Sequence, residues 1–277
     1  MNIVSIILIV LILIITALLV CDHLFYSSFL RRAEQIRNEA GIFDDKKIND
    51  NDVATLPIPV ARFIIFSGLK GNKRISSVHI KHSGLFRPQA GRDFTPIKGE
   101  YFLTTRRPSF CWFGRISIMP LITVSAFDSY FNGNGRMLIK LLSFFKIADA
   151  RSPETSLSAL GRCIAEMSMA PSFFMNSEQI QWKAFNNEHA TCVVNDAGLK
   201  VNAALNFNHD GSLERIEIDR LFDRGKGQFT TEKFTGKCSV VKEFNGLKMA
   251  SVVDGYWNLE DGDLHYVHFI IDEIEIQ

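Results

Sequence analysis

The charged pair Arg162 and Glu166 offers the clearest candidate chemistry, because the two residues stand four apart in a segment with a helical pattern. Residues four apart share one side of a helix, so a guanidinium and a carboxylate would lie together there. Such an arginine can bind a polar head group through charge-assisted hydrogen bonds. Glu166, or Asp128, could instead act as a general base if it faced a pocket that shifts its pKa. The simplest alternative is a surface ion pair that contributes roughly a few tenths of a kcal/mol.

Aromatic residues and arginines are concentrated between residues 98 and 137, where strand-forming residue types dominate. The whole chain has 23 Phe against 5 Tyr and 3 Trp. This excess is typical either of a phenylalanine-rich core or of an apolar cavity that a ligand fills. For a cavity, the expected lining is Phe102, Phe110, Trp112, Phe113 and Trp182, with Arg107, Arg162 and Glu166 at its mouth.

Histidine pairs do not predict a metal site in this sequence. His79 and His82 are three residues apart in a strand-like segment, and so are His265 and His268. Successive strand residues alternate between the two faces of a sheet, so the members of each pair are expected on opposite faces. The sequence also contains no HExxH and no CxxC motif. We therefore predict neither a metal site nor a cofactor.

Other catalytic and binding classes find little support. The G-x-S-x-G motif of α/β hydrolases is absent, and the glycine-rich turn at 132–135 lacks the strand and helix that flank a nucleotide fingerprint. The 5 cysteines are widely spaced and odd in number, which argues against a disulfide framework, although a Cys–His nucleophile stays open. Asp44 and Asp45 lie in a polar linker, where we expect them to be solvated. A net charge of +1 with scattered basic residues argues against nucleic acid as a partner.

The amino-terminal segment predicts a membrane anchor. From Ile3 to Val20 only one serine and one threonine are polar, and a helix of this length spans about 27 Å. A cleaved signal peptide would need a basic start, a shorter apolar run and a small-residue cleavage site. A lipoprotein signal ending at Cys21 is disfavoured by the valine before it. We expect an uncleaved single-pass anchor over residues 1–24.

The side of the membrane stays open. Arg31, Arg32 and Arg37 follow the apolar stretch, and the positive-inside bias then favours a cytoplasmic domain. Residues 25–53 are expected to form a juxtamembrane helix and a linker. The basic side chains of this helix could contact lipid head groups, or the helix could be a solvated stalk.

The remaining chain, residues 54–277, predicts a single α+β domain. From Arg74 onward apolar residues recur with the period of strands, and pairs such as Asn245–Gly246 and Asp261–Gly262 predict tight turns. Ser152 and Pro153 open a helix as its cap and first residue. The expected architecture is a large curved antiparallel sheet, half-barrel-like, with a few helices over one face and a transmembrane helix before it.

Several motifs occur in a recognisable order: LPIPVARF at 56–63, SGLFRP at 83–88, RRPSFCW at 106–112, FDSYFNGNG at 127–135 and ADARSPETSLSALGRCIAEMSMAP at 148–171. Together they resemble the uncharacterised bacterial proteins grouped as domain of unknown function 6544, over residues 54 to 276. The resemblance implies no established activity. Cys163 and Ile164 depart from the leucine- and tyrosine-rich helix of typical members but leave the arginine and the glutamate in place.

The order of strands, turns and helices is also similar to that of lipoprotein-carrier (LolA-like) half-barrels. That likeness implies a fold that holds an acyl chain between sheet and helices and that normally works outside the cytoplasm. The leading hypothesis is a membrane-anchored, non-enzymatic protein that binds a lipid or another apolar ligand in a cavity between sheet and helices. The alternatives are an enzyme acting on a lipidic or amphiphilic substrate, and a structural membrane protein with a partner-binding surface.

Overall fold

The computed structural model describes residues 2–41, 46–225 and 228–276, so that Asp44 and Asp45 lie outside the described residues. The α-helices are α1 (Ile3–Ala40), α2 (Asp50–Ala54), α3 (Ile58–Phe66) and α4 (Pro153–Glu166), and two 3-10 turns follow α4 at Met167–Met169 and Pro171–Met175. The strands are β1 (Ser77–Phe86), β2 (Thr95–Thr104), β3 (Ser109–Met119), β4 (Ile122–Phe131), β5 (Asn134–Leu141), β6 (Phe145–Ala150), β7 (Ile180–Ala184), β8 (His189–Asp196), β9 (Leu199–Phe207), β10 (Leu213–Gly225), β11 (Gln228–Phe244), β12 (Leu247–Leu259) and β13 (Gly262–Ile276).

Within the described residues, the strands form one curved, half-barrel-like antiparallel sheet of 13 strands, which confirms the predicted α+β class. Its order is β6-β5-β4-β3-β2-β1-β13-β12-β11-β10-β9-β8-β7, so that two meanders meet where β1 pairs with β13. The hairpin turns follow from local chemistry. Asn132–Gly133 and Asn245–Gly246 adopt positive φ at both positions, as two-residue turns between antiparallel strands require.

Helix α1 is continuous from Ile3 to Ala40, and Gly41 ends it with a φ of 66°. The structure departs from the expectation of a juxtamembrane helix on lipid or in solvent, because Phe25, Phe29 and Ile36 are buried against the sheet. The second half of α1 is therefore part of the folded domain. Its first half is exposed, and it is long and apolar enough to cross a bilayer as a single-pass span or to serve as a signal sequence.

Each face of the sheet carries a helix. We call the face that carries α4 the inner face and the face that carries α1 the outer face. The alternation of strand residues divides neighbouring side chains between the two faces. The main core on the inner face includes Tyr101, Phe110, Trp112, Leu160, Ile164 and Phe173, and the smaller cluster under α1 includes Phe25, Phe29, Phe102, Phe113 and Phe127.

Candidate functional site

The aromatic residues expected to line one cavity are divided between the two faces of the sheet. Phe110 and Trp112 pack in the main core on the inner face, whereas Phe102 and Phe113 pack in the cluster under α1. All four are buried, so the structure does not bring them together around one open space. Trp182 packs against the main core, where its Nε1 donates to the carbonyl of Phe174 at 3.2 Å.

Arg162 and Glu166 are buried between α4 and the sheet instead of standing at a mouth or forming a surface pair. The guanidinium of Arg162 donates to Asp128 Oδ2 at 2.6 Å and to the hydroxyl of Tyr101 at 2.5 Å. That hydroxyl donates in turn to Glu166 Oε1 at 2.6 Å. The guanidinium also lies 4.5 Å from the ring centre of Trp112. The side chains of Arg162 and Glu166 are each 14% exposed and that of Asp128 is 4% exposed, so this buried polar cluster has little contact with solvent.

A second arginine balances the charge of the buried polar cluster. Arg220 lies 4.8 Å from the ring centre of Phe234, and its Nε donates to the carbonyl of Ser158 at 3.3 Å. Gly161 of α4 makes room for it, since a Cβ there would meet Arg220 Cγ at 2.8 Å. The carboxylates of Asp128 and Glu166 and the guanidiniums of Arg162 and Arg220 therefore all lie between α4 and the sheet. Burial lowers the pKa of Arg220 to about 10, and repulsion by Arg162 lowers it in the same direction.

The titration of the buried groups follows from their burial. Burial raises the pKa of Asp128 and of Glu166, and Arg162 opposes that rise in both. Burial also lowers the pKa of His82 to about 3, so its neutral ring accepts a hydrogen bond from Trp112 Nε1 at 2.9 Å. Shifted carboxylates are common at catalytic sites, but here each carboxylate is paired within packed side chains. The geometry of the buried polar cluster suits a structural role, holding α4 against the sheet, better than it suits substrate binding.

Arg107 lies apart from the buried polar cluster, at a cleft beside the carboxyl end of α1. Its side chain is 63% exposed, and its Nε lies 3.9 Å from Asp196 Oδ1. The cleft has a volume of about 360 Å³, and polar side chains dominate its lining, Arg106 and Glu178 among them. Of the residues expected at a mouth, Arg107 is the one that lines an open cleft, and this cleft is mostly polar.

The structure opens an amphiphilic groove between α1 and the outer face of the sheet, with a volume of about 300 Å³. Its apolar side consists of Phe29, Leu30, Ala33 and Phe102, of which Phe102 belongs to the expected lining. Four polar or charged residues complete it: Glu34, Arg37, His79 and Glu275. We call this space the α1 groove. One apolar wall beside charged groups is the arrangement that a lipid or detergent-like molecule needs.

A chain of polar groups fixes one side of the α1 groove. His79 Nε2 lies 3.1 Å from Glu100 Oε2 and His79 Nδ1 lies 3.4 Å from Glu275 Oε2, while the hydroxyl of Tyr26 donates to Glu100 Oε1 at 3.0 Å. The hydrogen bond with Glu100 raises the pKa of His79, and the same contact lowers the pKa of Glu100. Burial and Glu100 raise the pKa of Tyr26 to about 12. His79, which lines the α1 groove, therefore favours its charged form.

The stability of the protein should depend on pH through His79. A raised folded pKa means that protonated His79 contributes fully below its unfolded value near 6.5, and that this contribution disappears as the pH rises through the folded pKa. We expect His79→Gln to lower the melting temperature most near pH 6, with a difference from wild type that shrinks towards pH 9. Melting curves across this range measure it. In a Glu100→Gln background the effect should fall, and a difference that is constant with pH would contradict the assignment.

Sequence reasoning did not place site residues on α1. The signal was present, because Phe25, Phe29 and Ile36 recur near helical spacing beyond the apolar stretch. An apolar stripe on a helix that has left the membrane indicates packing against protein. The sequence does not show which surface the stripe packs against, because that surface lies on strands far away in sequence.

The expectation for His265 and His268 is wrong, because a β-bulge lies between them. Tyr256 pairs with His265 and Gly255 pairs with Val267, which leaves Tyr266 as an extra residue in β13. Tyr266 and Val267 both pack against the main core, so the histidines on either side of them are directed away from it. Both rings contact Asp254 Oδ1 at 2.8 Å.

Comparison with known proteins identifies a family and some distant structures. Residues 46–269 match the profile of a family of unknown function, DUF6544. None of the curated proteins matches the chain. A DUF1329 family protein from Desulfovibrio piger is 7% identical with a TM-score of 0.44, and the alignment covers 79% of this chain and 92% of that one. A LolA superfamily protein from Nitrosomonas europaea is 8% identical with a TM-score of 0.39 and the same coverage. At TM-scores below 0.5 these likenesses say nothing about what this chain binds.

Proposed function

The chain belongs to DUF6544, a family of unknown function, and we propose that it is a membrane-anchored protein that binds a lipid or another amphiphile in the α1 groove. One observation carries the proposal. The helix whose first half is long and apolar enough to cross a bilayer is the same unbroken helix that forms the wall of the α1 groove. A molecule that leaves the bilayer beside α1 would meet the α1 groove on the same helix, beginning about 14 Å beyond Val20.

The contacts of Asp22 support membrane anchoring by α1. This residue follows closely on the apolar stretch that ends at Val20, and its carboxylate accepts hydrogen bonds from Arg115 at 3.0 Å and from Ser143 at 2.7 Å. The end of the sheet that holds Arg115 and Ser143 therefore lies beside the point where α1 would leave the membrane.

Exposed apolar residues surround this point. The turns between β3 and β4 and between β5 and β6 lie next to each other, since the amide of Leu142 donates to the carbonyl of Thr123 at 2.8 Å. Leu121 is 97% exposed at the tip of the first turn, where its φ of 67° is one that a bulky residue rarely adopts. At the bilayer surface such side chains would enter the interface. The exposed apolar residues of this tip are Ile118, Met119, Leu121, Phe144, Phe145 and Ile147.

The size and height of the α1 groove limit the ligand. Along the helix axis, Phe29 lies about 14 Å beyond Val20 and Arg37 about 26 Å beyond it. A volume of about 300 Å³ is at the lower end of the range for small-molecule sites, which suits one acyl chain or a small amphiphile better than a whole diacyl lipid. Arg37 and charged His79 favour an anionic head group, and Glu34 and Glu275 limit how much negative charge the site accepts.

The enzyme alternative has less support. Its candidate bases, Asp128 and Glu166, lie in the buried polar cluster, where Arg162 and Tyr101 hold them. A general base must reach the proton that it removes, and these carboxylates are directed into packed side chains on the other face of the sheet from the α1 groove. The remaining alternative is a structural membrane protein with a partner-binding surface, which would carry no bound amphiphile.

Native mass spectrometry of the detergent-purified full-length chain tests the proposal. We expect wild type to retain one amphiphile per chain, and Ala33→Trp to reduce its occupancy about tenfold, equivalent to 1.4 kcal/mol, because the indole would occupy the α1 groove. Gln35→Trp is the matched control, since Gln35 is an exposed residue of the same helix and does not line the groove. Wild type that repeatedly carries no amphiphile overturns the proposal and favours the structural alternative. Equal occupancy in Ala33→Trp places the ligand elsewhere and also overturns it.

A further inference from the structure

The β-bulge in β13 creates a cluster of side chains with metal-binding chemistry. One extra residue, Tyr266, brings His265 and His268 to the same face, where they flank Asp254 of the neighbouring strand β12. Without the bulge, residues three apart on a strand would point to opposite faces. Bulges commonly redirect side chains next to functional sites. None of the three groups belongs to the α1 groove or to the buried polar cluster.

The donor atoms converge. His265 Nε2 and His268 Nδ1 each lie 2.8 Å from Asp254 Oδ1, and the three ligand atoms all lie within 4.8 Å of one another. In a tetrahedral site, zinc–ligand bonds of about 2.0–2.1 Å place neighbouring ligand atoms about 3.3 Å apart, so the two shorter separations would each widen by about half an ångström when an ion binds. All three residues are half-buried, so solvent or a further ligand can reach an ion between them.

The ring of His265 is held in its orientation. Tyr256 stacks on it with ring centres 4.4 Å apart, and Phe94 meets it edge-on at 5.1 Å. Arg87 supports this arrangement twice, because its guanidinium lies 4.4 Å from the ring centre of Phe94 and its Nε donates to the carbonyl of His265 at 3.1 Å. A ligand whose rotamer is fixed by packing loses less conformational freedom when it binds an ion.

We propose that Asp254, His265 and His268 bind one divalent transition-metal ion of the zinc class. Two imidazoles with one carboxylate suit zinc, cobalt or ferrous iron, whereas magnesium and calcium prefer oxygen ligands alone. Without an ion, the imidazole N–H groups donate to the shared carboxylate oxygen; when an ion binds these nitrogens, each neutral ring carries its proton on the other nitrogen, Nδ1 of His265 and Nε2 of His268. Three protein ligands leave at least one coordination position for water or another molecule. This proposal is independent of the α1 groove.

Titration of the full-length, detergent-purified and tag-free chain with Co²⁺ and with Zn²⁺ tests the site. We expect one ion per chain, a visible Co²⁺ absorption band that Zn²⁺ removes, and a melting temperature that rises with Zn²⁺ concentration. His265→Gln and His268→Gln should each weaken binding at least about tenfold. His209→Gln is the matched control, because His209 is 98% exposed in the turn between β9 and β10 and should leave binding unchanged.

Asp254→Asn is a second test of the site, and it does not depend on whether the histidine variants fold. The amide keeps the shape of the side chain and a hydrogen-bond acceptor but is a far weaker metal ligand than a carboxylate. A folded Asp254→Asn chain that loses the Co²⁺ band supports the site. Wild type without saturable binding overturns the proposal, and so does unchanged binding in the folded variants.

Discussion

Replacing Arg162 by methionine is expected to lower the free energy of unfolding by about 3–5 kcal/mol, the cost of breaking a buried ion pair by removing one partner. Wild type balances two buried carboxylates with two guanidiniums. Removal of Arg162 leaves Asp128 and Glu166 with Arg220 alone, and it takes away the donor that lies 2.6 Å from Asp128 Oδ2. Burial already raises the pKa of Asp128, so the variant should bind a proton there as it folds.

Denaturation followed by tryptophan fluorescence measures this cost, and Trp112 is a nearby reporter because the guanidinium of Arg162 lies 4.5 Å from its ring centre. Arg136→Met is the matched control. Arg136 also pairs with a carboxylate, Asp149, but the two side chains are 31% and 20% exposed. We expect a smaller cost here, because the pair is more exposed and Asp149 keeps Arg151 as a second partner when Arg136 is replaced.

The double variant Asp128→Leu/Arg162→Met separates charge imbalance from lost packing. It removes one charge of each sign and leaves Glu166 with Arg220, so we expect it to be more stable than Arg162→Met alone. A double variant that is less stable than Arg162→Met would show that packing of the arginine, and not charge compensation, governs the buried polar cluster. An Arg162→Met variant as stable as the Arg136→Met control would contradict the whole account.

Phe113→Ala is expected to release the second half of α1 from the sheet. The Phe113 ring is 5.2 Å from that of Phe25, 5.4 Å from that of Tyr26 and 6.0 Å from that of Phe29. Truncation of a buried phenylalanine costs about 3–5 kcal/mol because a cavity adds to the lost transfer free energy. The cost falls on the contact between helix and sheet, so α1 should open before the rest of the sheet unfolds.

Hydrogen exchange of the amides from residue 25 to residue 40 measures this opening directly. Phe185→Ala is the control, because Phe185 is 62% exposed and its truncation removes little buried area. Since α1 forms one wall of the α1 groove, Phe113→Ala should also reduce the amount of bound amphiphile. Unchanged exchange over these residues in a folded Phe113→Ala chain would mean that other contacts hold α1 in place.

The sequence alone predicted features whose causes are local. Strand-forming residues with a period of two and Asn–Gly turns indicated an antiparallel sheet, and turns such as Asn132–Gly133 and Asn245–Gly246 have the expected positive φ. The Ser152 cap and Pro153 begin α4 as the sequence indicates. The length and apolarity of residues 3–20 likewise depend on no other part of the chain.

How deeply a side chain is buried, and which side chains it contacts, depended on residues far apart in sequence. The spacing of Arg162 and Glu166 gives a shared helix side, but only the strands that carry Tyr101 and Asp128 bury that side. The period of strands places the neighbours Trp112 and Phe113 on opposite faces, although the expected lining put both in one cavity, and the sequence does not say which face α1 covers.

The bulge at Tyr266 shows the limit most clearly. Whether His265 and His268 share a face is decided by the register of β12 against β13, and one extra residue reverses the answer. Local propensity fixes whether a residue lies in a helix or a strand, because a few neighbours determine it. Which side chains meet is fixed by packing across the whole sheet, and that is why the candidate sites emerged only from the tertiary structure.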